Sequence, residues 1–136
     1  MTWVAGVASG GSAITGYKIE KSNDSGSTWT EAVADTGDTL TNTVTGLANG
    51  TPYVFRITAI NAKGTGAASN PSSATTPVTV PDSPTNPSAT GGHLKAVVTW
   101  DAPAEDGGSA ITGYKIQMSE SGGAYGSAVN TGSDAT

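Results

Sequence analysis

Residues Gly10 to Ile19 read GGSAITGYKI, and residues Gly107 to Ile116 read the same ten letters. The offset is 97, and it also carries Trp3 onto Trp100. A self-match at a fixed long period marks a repeat array, in which each repeat is a structural unit. Within the stretch, Tyr17 and Ile19 fall on one face and Lys18 and Glu20 on the other. That period of two is the pattern of a half-buried strand. The same alternation runs through Tyr53, Phe55, Ile57 and Ala59, and through Leu94, Ala96, Val98 and Trp100.

Working outward from the duplicated stretch, turn residues divide the chain into short strands. Asn23-Asp24-Ser25-Gly26-Ser27, Asp35 to Asp38, Ala48-Asn49-Gly50-Thr51-Pro52 and Ala62 to Gly66 supply the conformations that turns require. Between them the pattern predicts strands over Ile14–Lys21, Trp29–Val33, Leu40–Leu47, Tyr53–Asn61 and Ala67–Thr76, the last irregular. Thr2-Trp3-Val4 reads as the end of a strand. In the second copy, Leu94–Trp100 and Tyr125–Val129 are expected to be strands, the latter the counterpart of Trp29–Val33.

Composition agrees with an all-β chain. Of 136 residues, 19 are Gly and 7 Pro, so turns are frequent and long helices disfavoured. Six basic residues face eleven acidic ones, and Arg56 is the only arginine. Clustered Lys and Arg are absent, which argues against nucleic-acid binding. No cysteine is present, which removes disulfides, thiol catalysis and Cys-based metal sites. No run of 18 apolar residues occurs, so no membrane span is expected. Met1-Thr2-Trp3 lacks the features of a signal peptide; if the parent protein is exported, its signal is expected upstream.

These residues resemble fibronectin type III domains. The resemblance rests on Trp3 and Trp100 near the end of a strand, the ITGYKI strand, the Leu47-x5-Tyr53 pair and, above all, YVFRITAINAKGTG from Tyr53 to Gly66. It implies an immunoglobulin-like β-sandwich, and the 97-residue period suits tandem copies of that size. It also implies a tyrosine corner, in which the Tyr53 hydroxyl meets backbone at the turn near Leu47. The structural positions expected from it are Trp3, Trp100, Tyr17, Tyr114, Leu47, Tyr53, Phe55 and Ile57.

With the family's strands lettered A to G, residues 1–76 form a repeat lacking strand A and most of B. Residues 77–83 form a Pro-rich linker, and residues 84–136 a second repeat lacking E, F and G. A sandwich divided in this way leaves an inner face and sheet edges open. Strands A and B of the second copy, Pro84 to Trp100, are then expected to complete the sandwich begun by the first. Completion within one chain gives a circular permutant; completion between chains gives a dimer or a head-to-tail filament. Seven linker residues reach at most roughly 25 Å, about one strand length, so closure within one chain is marginal. The simplest origin for the phase of the cut is a truncated stretch of a longer array.

Candidate sites are few. His93 is the only histidine and falls in a loop with only Lys95 near it in sequence, poor provision for acid–base catalysis. Asp101, Glu105 and Asp106 cluster in one connector, but the first copy has Val4, Ala8 and Ser9 there, which disfavours a repeat-wide calcium site. Trp29 and Tyr125 occupy equivalent positions and are candidates for surface contact with a sugar or a partner; cross-strand packing is the simpler reading. Asn23-Asp24-Ser25 and Asn49-Gly50-Thr51 match the N-glycosylation pattern, while no RGD triplet occurs.

The expected function is a non-catalytic extracellular spacer or adhesion module, from a bacterial or phage surface protein given the Gly/Ala/Thr-rich style. No catalytic, cofactor or metal residues are assigned. Expected partners are neighbouring repeats, a polysaccharide or a cell-surface protein, and other copies of the chain through incomplete sandwiches. The alternatives are an accessory module of a secreted polysaccharide-degrading enzyme and a self-assembling filament subunit built by strand exchange.

Overall fold

Strand β1 (Ile14–Ser22) is nine residues long because two neighbours satisfy its backbone, β2 (Thr30–Val33) on one side and β3 (Val54–Asn61) on the other. The computed structural model describes residues 1–4, 11–120 and 122–131. The chain forms two compact units, Met1–Pro77 and Val78–Thr136. In the first, β4 (Gly64–Ala68) joins β3 and completes an antiparallel sheet of order β2-β1-β3-β4. The β1–β3 register runs from Ile14 opposite Asn61 to Ser22 opposite Val54, with an irregularity between Ile14 and Gly16. Gly16 has a reason to lack a side chain: a Cβ there would land on the Asp35 carboxylate.

The alternation read from the sequence places the core. Tyr17, Ile19, Tyr53, Phe55 and Ile57 are buried, and Ile19 is fully so, at 0% exposure. Trp3, Ile14, Val33, Val44, Leu47 and Ala59 pack against them. Burying a side chain of this size contributes about 1.5–3 kcal/mol. The layer facing the sheet comes from Met1–Trp3 and the segment around Leu40–Leu47. Trp3 N–H donates to the Leu40 carbonyl at 3.2 Å and Asn42 N–H to the Met1 carbonyl at 3.0 Å. The Leu40–Leu47 strand expected from sequence is reduced to one bridge, Thr2 opposite Thr41. A strand needs a neighbour, and among the described residues only Thr2 forms a bridge to this segment.

Beyond β4 the chain keeps bonding to β3 with an unequal step. Ser69, Ser72 and Thr75, three residues apart, donate their N–H groups to the carbonyls of Ile57, Phe55 and Tyr53, two apart, each at 2.8 Å. The extra residue at each step bulges out, and a serine hydroxyl takes over as acceptor. Ile57 N–H donates to Ser69 Oγ and Phe55 N–H to Ser72 Oγ, both at 3.0 Å. The irregular strand expected over Ala67–Thr76 is shifted: regular β4 (Gly64–Ala68) starts inside the expected Ala62–Gly66 turn, and the stretch from Ser69 to Thr75 is its bulged continuation.

In the second unit, β5 (Thr85–Gly92) and β6 (Lys95–Asp101) form a hairpin, and β7 (Lys115–Ile116) pairs with β8 (Val129–Asn130). Residues of the expected linker bond within this unit: Thr79 N–H donates to the Gly107 carbonyl at 2.9 Å and Asp82 N–H to the Glu105 carbonyl at 3.0 Å. Gly107 takes φ +74°, and a Cβ there would strike the Thr79 and Val80 carbonyls.

Three expectations change here. Leu94 does not extend the inward stripe. It sits in the two-residue turn with His93, at φ +55° and 94% exposure, because Gly92 already pairs with Lys95. The Tyr125–Val129 strand is replaced by β8, two residues long and starting at Val129. The ITGYKI stretch, most of a nine-residue strand in the first unit, forms only the two-residue β7 in the second. The letters are identical, so the difference comes from the neighbour: among the described residues, nothing stands beside β7 as β3 stands beside β1.

Ile19→Ala and Ile116→Ala, equivalent changes in identical local sequence, are therefore expected to differ. The first destabilises its unit by about 2–5 kcal/mol and the second by less than about 1 kcal/mol, measured by urea unfolding. Leu94→Gly relieves a left-handed conformation without losing packing and is expected to stabilise the hairpin by about 1 kcal/mol in the same assay.

Candidate functional site

The face of the β2-β1-β3-β4 sheet away from the core carries a continuous set of charged and aromatic groups. Glu20 on β1 stands opposite Arg56 on β3. Arg56 Nε donates to Glu20 Oε2 at 2.7 Å, and Lys18 Nζ lies 3.2 Å from Glu20 Oε1. The Arg56 guanidinium also lies over the Trp29 ring, 4.4 Å from its centroid. Trp29 is half-buried just before β2. The bond from Arg56 is the main cause holding the Glu20 carboxyl below its ordinary pKa, with Lys18 assisting and partial desolvation opposing. The sequence shows Glu20 and Arg56 as outward residues but gives no sign that they meet, because their pairing depends on the β1–β3 register.

Asp24 organises the turn after β1. It accepts from the Ser22 hydroxyl at 2.6 Å, the Thr28 hydroxyl at 2.6 Å and the Thr28 N–H at 2.9 Å. These bonds favour the ionised form, the Ser22 bond most, and lower its pKa to about 2 from an ordinary 3.8. Asp24 is thus the central acceptor of a closed turn rather than a free carboxylate.

The corner before β3 is built from Tyr53. Its hydroxyl accepts a hydrogen bond from Ala48 N–H at 3.2 Å, while its ring stays buried near Phe55 with centroids 6.5 Å apart. Leu47, one residue upstream of Ala48, packs on the core. Beside it opens a cavity of about 410 Å³, lined among others by Met1, Thr43, Val44, Leu47 and Phe55. The second unit has a smaller apolar hollow of about 230 Å³ at Pro84, Pro87, Val98, Trp100 and Tyr114.

The two tryptophans picked out by the repeat do the same thing in each unit. Trp3 meets Tyr17 edge-on, with centroids 5.4 Å apart at 68°. Trp100 meets Tyr114 at 5.2 Å and 61°. Both indole N–H groups are buried without a hydrogen-bond partner among the described residues. Trp29 and Tyr125, equivalent in sequence, part ways: Arg56 covers Trp29, whereas Tyr125 is 72% exposed and lies outside any strand.

The remaining polar candidates are dispersed. His93 is exposed in the β5–β6 turn. Asp101 Oδ2 accepts from Asn86 Nδ2 at 2.7 Å and Asp106 Oδ1 from Gly108 N–H at 2.7 Å, so both serve local structure. Among the described residues, no group of three His, Asp or Glu side chains is placed to hold a metal ion. Asn23 and Asn49 are exposed in turns.

Comparison with known proteins agrees with this geometry. The model of the fibronectin type III domain matches residues 1–75. A titin homolog of Caenorhabditis elegans is 30% identical over 128 residues, covering 90% of this chain and 1% of the relative. The fibronectin type-III domain-containing protein 3A of Pongo abelii is 38% identical over 89 residues, covering 62% of this chain and 8% of the relative. The slow-type myosin-binding protein C of Rattus norvegicus is 30% identical over 118 residues, covering 86% and 19%. The chain therefore spans a small part of each of these relatives.

Two outcomes test the site chemistry. Carboxyl NMR titration should find Asp24 with a pKa near 2, and Ser22→Ala should raise it toward 3.8. Because the folded value is depressed, Asp24 stabilises the fold above pH about 4, and this contribution is lost as pH falls toward 2. Asp24→Asn should remove that part of the pH dependence in acid unfolding. Tyr53→Phe leaves the Ala48 N–H without its partner and should cost about 1 kcal/mol in urea unfolding.

Proposed function

This chain belongs to the fibronectin type III family, and on that premise we propose that it is a non-catalytic structural module of a tandem array, a spacer that holds neighbouring repeats apart. The observation that carries this reading is where its most distinctive residues go. Tyr17, Ile19, Tyr53, Phe55 and Ile57 all enter one core, and the Tyr53 hydroxyl ties the corner beside it. Side chains committed to packing fix shape and make the unit unfold cooperatively.

The sheet edge supports the same role. The bulges at Ser69 and Ser72 turn the edge away from a regular ladder, which suits a module kept close to many copies of itself. The duplicated GGSAITGYKI supports an array, since it repeats the sequence of one strand within the same chain. The relatives support a module used inside much larger proteins: one is called a titin homolog and another a myosin-binding protein.

A spacer that bears load should yield in one step. Pulled between its ends in an optical trap, the chain is expected to show one cooperative extension of about 20–25 nm from the Met1–Pro77 unit. Ile19→Ala should lower the force of that step. Smooth extension with no step would contradict the proposal.

A further inference from the structure

Asn49 is the only asparagine in the chain followed by glycine. The pair lies exposed in the turn before β3, with Gly50 at φ +74°. That left-handed conformation is the reason a glycine stands there, and the same glycine makes the pair reactive. With no Cβ on residue 50, nothing shields its backbone nitrogen from the Asn49 side-chain carbonyl carbon. In this structure that nitrogen is engaged: Gly50 N–H donates to the Pro77 carbonyl at 2.9 Å. We propose that Asn49 is a site of spontaneous deamidation, with water as the only co-reactant, and that the Gly50–Pro77 hydrogen bond is its gate. This goes beyond the spacer reading, which requires no covalent change.

The chemistry needs only these two residues and water. The Gly50 nitrogen loses its proton and attacks Asn49 Cγ. The N–Cγ bond forms, the Cγ–Nδ2 bond breaks, and the side-chain nitrogen leaves as ammonia with the proton that Gly50 lost. Water then opens the resulting succinimide. Cleavage of the N–Cγ bond gives aspartate. Cleavage of the bond between Gly50 N and the Asn49 backbone carbonyl gives isoaspartate, with an extra methylene in the main chain. No oxidant or reductant enters. Because the nucleophile is the deprotonated nitrogen, the bond to Pro77 blocks it twice, by holding the proton and by fixing the nitrogen in place.

The other asparagines are poorer candidates on the same chemistry. Asn70 and Asn86 precede proline, whose nitrogen has no proton to lose. Asn23 precedes Asp24, whose N–H meets Ser22 Oγ and whose ionised carboxylate opposes a second negative charge on its own nitrogen. Asn42, Asn61 and Asn130 precede Thr or Ala, whose Cβ crowds the attacking nitrogen. The gate at Asn49 is a local one. Pro77 follows the end of the bulged edge, where Thr75 and Tyr53 exchange backbone bonds at 2.8 Å. Release of Thr75–Pro77 frees Gly50 and requires no opening of the β1–β3 pair. Isoaspartate would then stand between Ala48, whose N–H meets the Tyr53 hydroxyl, and Gly50, so the lengthened backbone would no longer fit both ties. A passing opening thereby becomes a permanent loosening of the corner.

Ageing the full chain at neutral pH tests this. Mass spectrometry of its peptides follows each asparagine, chromatography separates aspartate from isoaspartate, and the free peptide Leu47–Tyr53 gives the ungated rate. Asn49 should react before any other asparagine, and about tenfold more slowly than in the peptide, the factor that one net hydrogen bond supplies. Amide hydrogen exchange at Gly50 needs the same nitrogen freed and deprotonated, so its protection should equal that slowing. Thr75→Pro removes the N–H that holds the edge to Tyr53, and should bring Asn49 toward the peptide rate while the Ile19 amide stays protected. Pro77→Gly keeps the acceptor carbonyl but loosens its position, and should act in the same direction. The exchange comparison uses the unsubstituted chain and stands even if a variant fails to fold. Reaction at the peptide's rate, earlier reaction at another asparagine, or a slowing that departs from the Gly50 protection by about tenfold or more would overturn the proposal. So would an unchanged rate in folded Thr75→Pro and Pro77→Gly chains.

Discussion

The pairing of β1 with β3 is the interaction on which the rest of this structure depends. It aligns Tyr17 and Ile19 with Ile57 and Ala59, and so brings two alternating stripes into one core. It also sets the opposite face. The register that buries Ile19 beside Ile57 puts Glu20 next to Arg56, and Arg56 over Trp29. A slip of one residue would turn every one of these side chains to the wrong face. The repeated decapeptide shows the strength of this dependence. The same letters give a long, buried strand where β3 stands alongside, and two paired residues where it does not.

The two edges of the first unit are treated differently. At the far side of β3, serine hydroxyls fill the places of displaced carbonyls, so the backbone of β3 is satisfied while the edge is bent. At the facing layer, Asn42 and Met1 exchange backbone bonds, and Trp3 N–H reaches the Leu40 carbonyl. Surface charge contributes little by itself. The Glu20–Arg56–Lys18 cluster is partly exposed, where ion pairs are weak, and it serves mainly to order the sheet face.

Much of this was legible in the letters, for a physical reason. Period-two alternation is a property of the strand itself, so Tyr53, Phe55 and Ile57 could be placed in a core without knowing what lay opposite. The tyrosine corner followed from the resemblance at Leu47 and Tyr53. What stayed hidden is what a neighbour decides. The contact of Glu20 with Arg56 needs the register, and the shortness of β7 needs knowledge of what fails to stand beside it. The role of Ser69 and Ser72 as acceptors needs the bulges. Leu94 misled because it continues an alternating run, whereas the hairpin places its turn there, at φ +55°.

The duplicated sequence offers its own internal control for the claim that a neighbour, not local propensity, makes the strand. Amide hydrogen exchange at Tyr17, Lys18 and Ile19 can be compared with Tyr114, Lys115 and Ile116, whose preceding residues are identical and whose intrinsic rates are therefore equal. The account predicts exchange slower by about a hundredfold or more in the first set, since those amides open only with the core. Equal protection in the two sets would contradict it, and would mean that the stretch forms a stable strand whatever stands beside it.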